Sequence, residues 1–168
     1  MRCSVFAAVV AVSLATPSTW KDDYHPAKSC PMPYQQVADR CLIFAASEVS
    51  TWHDARAYCH GFLGDLAQVD SADLLMAVVD FIHDEGLNGH NFWIGANDEA
   101  QEGAWKWPDG SDVHMGTPFW GYWTSPSVQE PRDGTASNYC CLVSNHFYYF
   151  GDCWGTEKYS PLCEFRLD

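Results

Sequence analysis

A chain of 168 residues has room for one domain with its own core after any leader is removed. Its 22 acids against 9 bases give a formal charge of −13, which argues against nucleic acid and against unaided binding to anionic membranes. The acidity is compatible with calcium, but a solvated acidic face is the default reading of such a balance.

Residues 1 to about 15 carry a single Arg2, then the apolar run from Val5 to Val12, then small residues at Ser13, Ala15 and Ser18. This pattern predicts a secretory signal peptide, too short to span a bilayer, cleaved between Ala15 and Thr19. Residues 1–19 are therefore assigned to the leader, 20–29 to a polar linker and 30–168 to one secreted domain without a membrane span. Eight cysteines are present and Cys3 leaves with the leader. The remaining seven imply three disulfides and one odd thiol, and no CxxC pair supports a structural zinc.

Cys30 and Cys41 enclose a loop containing Pro33 and Tyr34, and Leu42-Ile43-Phe44 reads as a strand. Ser50 or Thr51 can cap a helix whose Trp52, Ala55 and Cys59 share one face, ended by Gly61 and Gly64. Leu66 to Val69 is a short alternating strand. Asp70 to Asp73 opens a second helix with Leu74, Leu75, Val78, Val79 and Ile82 as its apolar stripe, stopped by Gly86. A loop follows to Asn91.

Asn91 to Ser111 (NFWIGANDEAQEGAWKWPDGS) organises the rest. Phe92 to Gly95 reads as a buried strand, Asn97-Asp98-Glu99 as a polar loop, and Trp105 and Trp107 alternate so that one face carries both indoles. Pro108-Asp109-Gly110 supplies a turn. The pattern WIG…DE..EG.W.W.DGS resembles the C-type lectin-like domain family. W..A...C in the first helix, LA.V after it and Pro161-Leu162-Cys163-Glu164-Phe165 at the end extend that resemblance from about Cys30 to Arg166. The resemblance implies an α+β fold of two helices, small antiparallel sheets and a long loop region, stapled by disulfides.

Residues 113–127 are rich in Gly, Pro and aromatics and read as a long packed loop, a kind that is usually functional. Asn138 to Val143 and His146 to Phe150 read as two strands, the second ended by Gly151-Asp152-Cys153. Family spacing pairs Cys30 with Cys41, Cys59 with Cys163 and Cys140 with Cys153. Cys140 is chosen because it lies ten residues past Glu130, which leaves Cys141 free or linking two chains.

In this family, loops hold calcium and the sugar's hydroxyls complete its coordination, which needs six to eight oxygens. The main site uses Glu-Pro-Asn or Gln-Pro-Asp, a later glutamate and Trp-Asn-Asp. Here Glu130-Pro131 is followed by Arg132, Asn138 replaces the glutamate, and the triplet has become Phe150-Gly151-Asp152. A cation about 4 Å from a divalent ion would cost on the order of 8 kcal/mol at an effective dielectric near 20. Arg132 can instead pair with Glu130 or Asp152. The expected ligand-binding residues are Glu130, Arg132, Asn138 and Asp152, at a degraded main site.

Asp98, Glu102, Asp133 and Asn138 correspond to an auxiliary metal site, either a calcium site or a polar loop surface. The seven histidines have no metal spacing. Among Phe147, Tyr148, Tyr149, Phe150 and Trp154 some rings could stack on sugar, although strand core explains most, and one of Tyr148 and Tyr149 should point outward. No catalytic motif occurs, so an enzyme is not expected.

The resemblance implies a secreted lectin that recognises microbial surface glycans in innate immunity, with calcium as its cofactor. The rival is a lectin-like domain recognising protein or another surface. Contact through Arg132 with an acidic sugar or a bacterial surface phosphate, helped by Tyr122, Trp123 or Tyr148, replaces the lost main site in this reading; the structural alternative is that Arg132 only bridges Glu130 and Asp152 and binds nothing. A homo-oligomer, disulfide-linked or non-covalent, is the partner expectation.

Overall fold

The computed structural model describes residues 29–116, 118–124, 127–132 and 137–166. The expected leader and most of the expected linker lie outside them, as does Asp133. Nine strands, two helices and one short 3₁₀ turn are present among the described residues. In chain order they are β1 (Gln35–Val37), β2 (Arg40–Phe44), α1 (Trp52–His60), β3 (Asp65–Leu66), α2 (Ala72–Asp84) and β4 (Phe92–Asn97). Then come β5 (Tyr122–Thr124), β6 (Ser127–Gln129), β7 (Tyr139–Leu142), the 3₁₀ turn Ser144–His146, β8 (Phe150–Cys153) and β9 (Ser160–Phe165).

Both helices start where the sequence places caps. The Thr51 side chain accepts from the Asp54 N–H, and the Ser71 hydroxyl accepts from the Leu74 N–H. Trp52, Ala55 and Cys59 are buried along α1, and Leu74, Leu75, Val78 and Ile82 along α2. Strand β9 lies mid-sheet in the order β1-β2-β9-β4-β7-β8, antiparallel to β2 and parallel to β4, and β3 also pairs with β9. The second sheet is the pair β5–β6, a hairpin within what the sequence presents as pure loop.

The central stretch is core. Phe92 to Ala96 are buried, and Trp105 and Trp107 retain 3% exposure each. Two indoles tie β4 to the start of α1: Trp52 Nε1–H donates to the Ile94 carbonyl and Trp93 Nε1–H to the Ser50 carbonyl, each at 2.9 Å. Gly95 is required by packing, because a Cβ there would meet Pro108 Cγ at 2.5 Å and the Leu66 carbonyl oxygen at 2.7 Å.

Two expectations are corrected. His146 to Phe150 is not a strand: the 3₁₀ turn ends in Phe147 and Tyr148 with φ of 56° and 60°, and β8 begins only at Phe150. Cys30–Cys41 and Cys59–Cys163 are bonded, but Cys153 pairs with Cys141, and Cys140 is the free, buried thiol.

The cause is strand alternation. On the β7–β8 ladder Cys141 lies opposite Gly151 and Tyr139 opposite Cys153, so Cys141 and Cys153 share a face. Cys140 lies opposite Asp152 and points to the other face, into the core containing Leu142 and Phe150. Counting residues from Glu130 runs through a loop of unconstrained length and cannot see this. A thiol with no exposure is also closed to interchain bonding.

Alkylation of the denatured, unreduced protein is therefore expected to label Cys140 and spare Cys141 and Cys153. Cys141→Ser should lose about 2–4 kcal/mol of stability, and Cys140→Ala should keep the bonding pattern. A Cys140–Cys153 peptide in a digest would refute the assignment.

Candidate functional site

The β7–β8 ladder that separates the two cysteines also positions the acids. Asp152 shares the Cys140 face. The segment Phe119–Gly121 runs along the start of β8, with the Phe150 N–H donating to the Phe119 carbonyl and the Gly121 N–H to the Phe150 carbonyl. The Gly121 carbonyl accepts from the Glu130 N–H at 2.9 Å, which brings Glu130 beside Asp152. The Asp152 Oδ2 atom accepts from the Arg132 N–H at 2.9 Å and from the Ser137 hydroxyl at 3.2 Å. Arg132 Nε stands 3.1 Å from Glu130 Oε1, with the Glu130 side chain 1% exposed and that of Arg132 52% exposed. Glu130, Arg132 and Asp152 are thus brought together as expected, and the guanidinium lies against Glu130.

Among the described residues, both Glu130 oxygens and Asp152 Oδ1 are buried with no hydrogen bond, the Arg132 ion-pair contact to Oε1 aside. One guanidinium cannot balance two carboxylates. Burial first, and then the facing Asp152, push the Glu130 carboxyl up to about 8 against the opposing pull of Arg132. Its folded form holds a proton that the unfolded chain releases near 4.5. The resulting stability is complete below that value and is lost as pH rises through about 8. Urea unfolding at pH 5, 6.5 and 8 should show stability falling across the series, with a flatter profile in Glu130→Gln. An unchanged profile in that variant would exclude Glu130 as the source.

Asn138 belongs elsewhere. Its Nδ2–H donates to Asp98 Oδ1 at 3.1 Å and its carbonyl accepts from the Asp98 N–H, while Asp98 Oδ2 accepts from the Gly103 N–H at 2.7 Å. Asp98 is buried and Glu102 is exposed on the same turn. The first cluster does not fit calcium, and the described part of the second, which lacks Asp133, has its oxygens engaged. In the first a guanidinium stands against the acids. In the second Asp98 already accepts on both oxygens and Asn138 presents its amide NH₂. No group of three or more His, Cys, Asp or Glu able to hold a metal occurs among the described residues.

To bind at Asp98 an ion must displace a neutral amide; at Glu130 it must displace a unit charge, the harder exchange. Any rise in melting temperature with millimolar calcium should therefore survive Glu130→Ala and vanish in Asp98→Ala. The opposite order would return the metal to Glu130 and Asp152.

A groove of about 510 Å³ opens beside the triad, lined by Arg132, Asn145, His146, Trp154 and Glu157 among others. Burial, and then the Arg132 charge, depress the His146 pKa and favour the neutral ring. Of the candidate aromatics, Tyr148 and Phe150 are core, whereas Phe147, Tyr149 and Trp154 are exposed. Tyr148 is thereby removed from the surface residues expected to help Arg132; Tyr122 is exposed, and the Trp123 side chain lies outside the described set. Ser137 and Asn145 carried no sequence signal, since each acquires its place from a loop closing on β8.

This architecture, with two helices, a long upper loop region and disulfides at both ends of the sheet, defines a lectin-like binding domain. The lectin C-type domain profile matches residues 48–165, and the chain belongs to the C-type lectin-like domain family. Hepatic lectin of Gallus gallus is 40% identical over 87 residues, 52% of this chain and 39% of that one. The type-2 ice-structuring protein of Hemitripterus americanus is 31% identical over 114 residues, 68% of this chain and 60% of that one. Both matches span less than two thirds of the relative. Human lithostathine superposes with a TM-score of 0.66 at 28% identity, over 84% of this chain and 94% of that one.

Proposed function

We propose that the chain is a secreted glycan-binding protein of innate immunity that reads microbial surface sugars in the groove beside Arg132 without a bound cation. The observation that carries this reading is Arg132 itself. Its guanidinium stands against the buried Glu130, where a metal would otherwise be required, and its side chain is half exposed to the groove. Asn145 and the neutral His146 offer hydrogen bonds to hydroxyls, and the exposed Trp154 ring offers a stacking face. Arg132 is the basic side chain among them and favours sugars bearing a carboxylate or phosphate.

Secretion is supported by the leader-like residues 1–19 and by three disulfides. Among the described residues no helix is long and apolar enough to cross a membrane. Self-association, if present, would be non-covalent as far as the buried Cys140 is concerned. The rival reading, recognition of a non-glycan surface, is favoured by one finding: a relative named for ice structuring is 31% identical over most of the domain.

Binding to mannan, to galactose polymers and to anionic bacterial wall material, with EDTA and with added salt, tests the proposal. Binding should persist in EDTA. Capture of the anionic material should weaken with salt and fall roughly tenfold in Arg132→Ala, the loss expected for one charge-assisted hydrogen bond. Chelator-sensitive mannose binding that persists in Arg132→Ala would refute it.

A further inference from the structure

The groove beside Arg132 does not end at Asn145 and His146. The same two residues line a second hollow of about 410 Å³, with Tyr122 and Phe147. Phe147, Pro118 and Tyr149 carry it on into a third of about 270 Å³, whose far wall is Ala72, Leu75, Met76 and Val79 of α2. Along this path the lining changes from charged, through amide and aromatic, to aliphatic. Phe147 stands at the join, lining both outer hollows and 81% exposed.

Its exposure is imposed by the backbone. Phe147 and Tyr148 both have positive φ, a conformation that L side chains rarely adopt. The Tyr148 N–H reaches back to the Val143 carbonyl, and the buried Tyr148 hydroxyl accepts from the Gly89 N–H at 3.2 Å. Tyr148 is thus pinned inward and Phe147 is turned outward between the hollows.

The aliphatic end cannot satisfy sugar hydroxyls, so burying a polar ligand there would be unfavourable. Asp80 on its wall and the net charge of −13 oppose docking onto an anionic bilayer. A protein partner in a stable complex covers about 800 Å² of one face, whereas these hollows of about 410 and 270 Å³ share lining residues with each other and with the polar groove. We infer that the hollow beside α2 receives an alkyl chain, and that the ligand is a glycolipid with its sugar at Arg132, Asn145 and His146. The inference rests on the glycan-binding reading and specifies its ligand class.

The test is a ladder of methyl, hexyl, octyl and decyl β-glucosides and β-galactosides, below their micelle concentrations, with dissociation constants read by calorimetry. A fully buried methylene raises affinity roughly fourfold, so an open hollow should give about twofold per methylene. Met76→Asp and Phe147→Ala alter exposed side chains; they should flatten the ladder and leave the methyl glycoside unchanged. Sugar binding with a flat ladder overturns the inference alone and leaves the hollow to an apolar side chain of a protein partner. A slope retained in both variants overturns it too, because the chain then binds elsewhere. Octanol binding as tightly as octyl glucoside, with methyl glycosides not bound, overturns both this inference and the glycan reading.

Discussion

The register of β7 against β8 is the constraint on which the rest of this site depends. Setting Cys140 opposite Asp152 and Cys141 opposite Gly151 decides at once which cysteine is bonded and which face the acid takes. A slip of one residue would exchange every side chain between the two faces. The face with Cys141 and Cys153 packs with the Cys59–Cys163 bond, Trp52 and Trp93. The opposite face carries Leu142 and Phe150 into the main core and leaves Asp152 at its edge.

At that edge the charges are unevenly matched. Two buried carboxylates meet one guanidinium, and a proton on Glu130 supplies the missing neutralisation. Asp152 is held by the Arg132 backbone N–H and the Ser137 hydroxyl, both on Oδ2. The ion-pair contact with Glu130 holds the half-exposed guanidinium on the wall of the groove.

The loop region connects this edge to α2. Phe119–Gly121 braces β8, Trp120 packs edge-on against Trp105, and Tyr148 is locked between the turn and Gly89. A long segment of little regular structure is therefore held by packed aromatics and backbone hydrogen bonds. The surface it forms grades from polar to apolar because the residues left outside, Asn145, Phe147, Tyr149 and Met76, differ in kind.

Local chemistry made much of this legible in the sequence. Thr51 and Ser71 cap the helices, apolar stripes fix their buried faces, and the Trp105–Trp107 alternation buries both indoles. Glu130, Arg132 and Asp152 could be named as one cluster because the family resemblance aligned them. Three features depended on tertiary structure. Strand register, not distance along a loop, chose Cys141 over Cys140. The turn at Ser144–His146 replaced a strand, because the 6→1 hydrogen bond from Tyr148 to Val143 closes the chain on itself and no periodicity records it. Asn138, which the family resemblance offered to both acidic clusters, went to Asp98, because its backbone pairs with the Asp98 loop and carries the side chain with it. Sequence determines which groups are available; which of them meet depends on pairings between segments distant along the chain, and those are fixed only when the whole core packs.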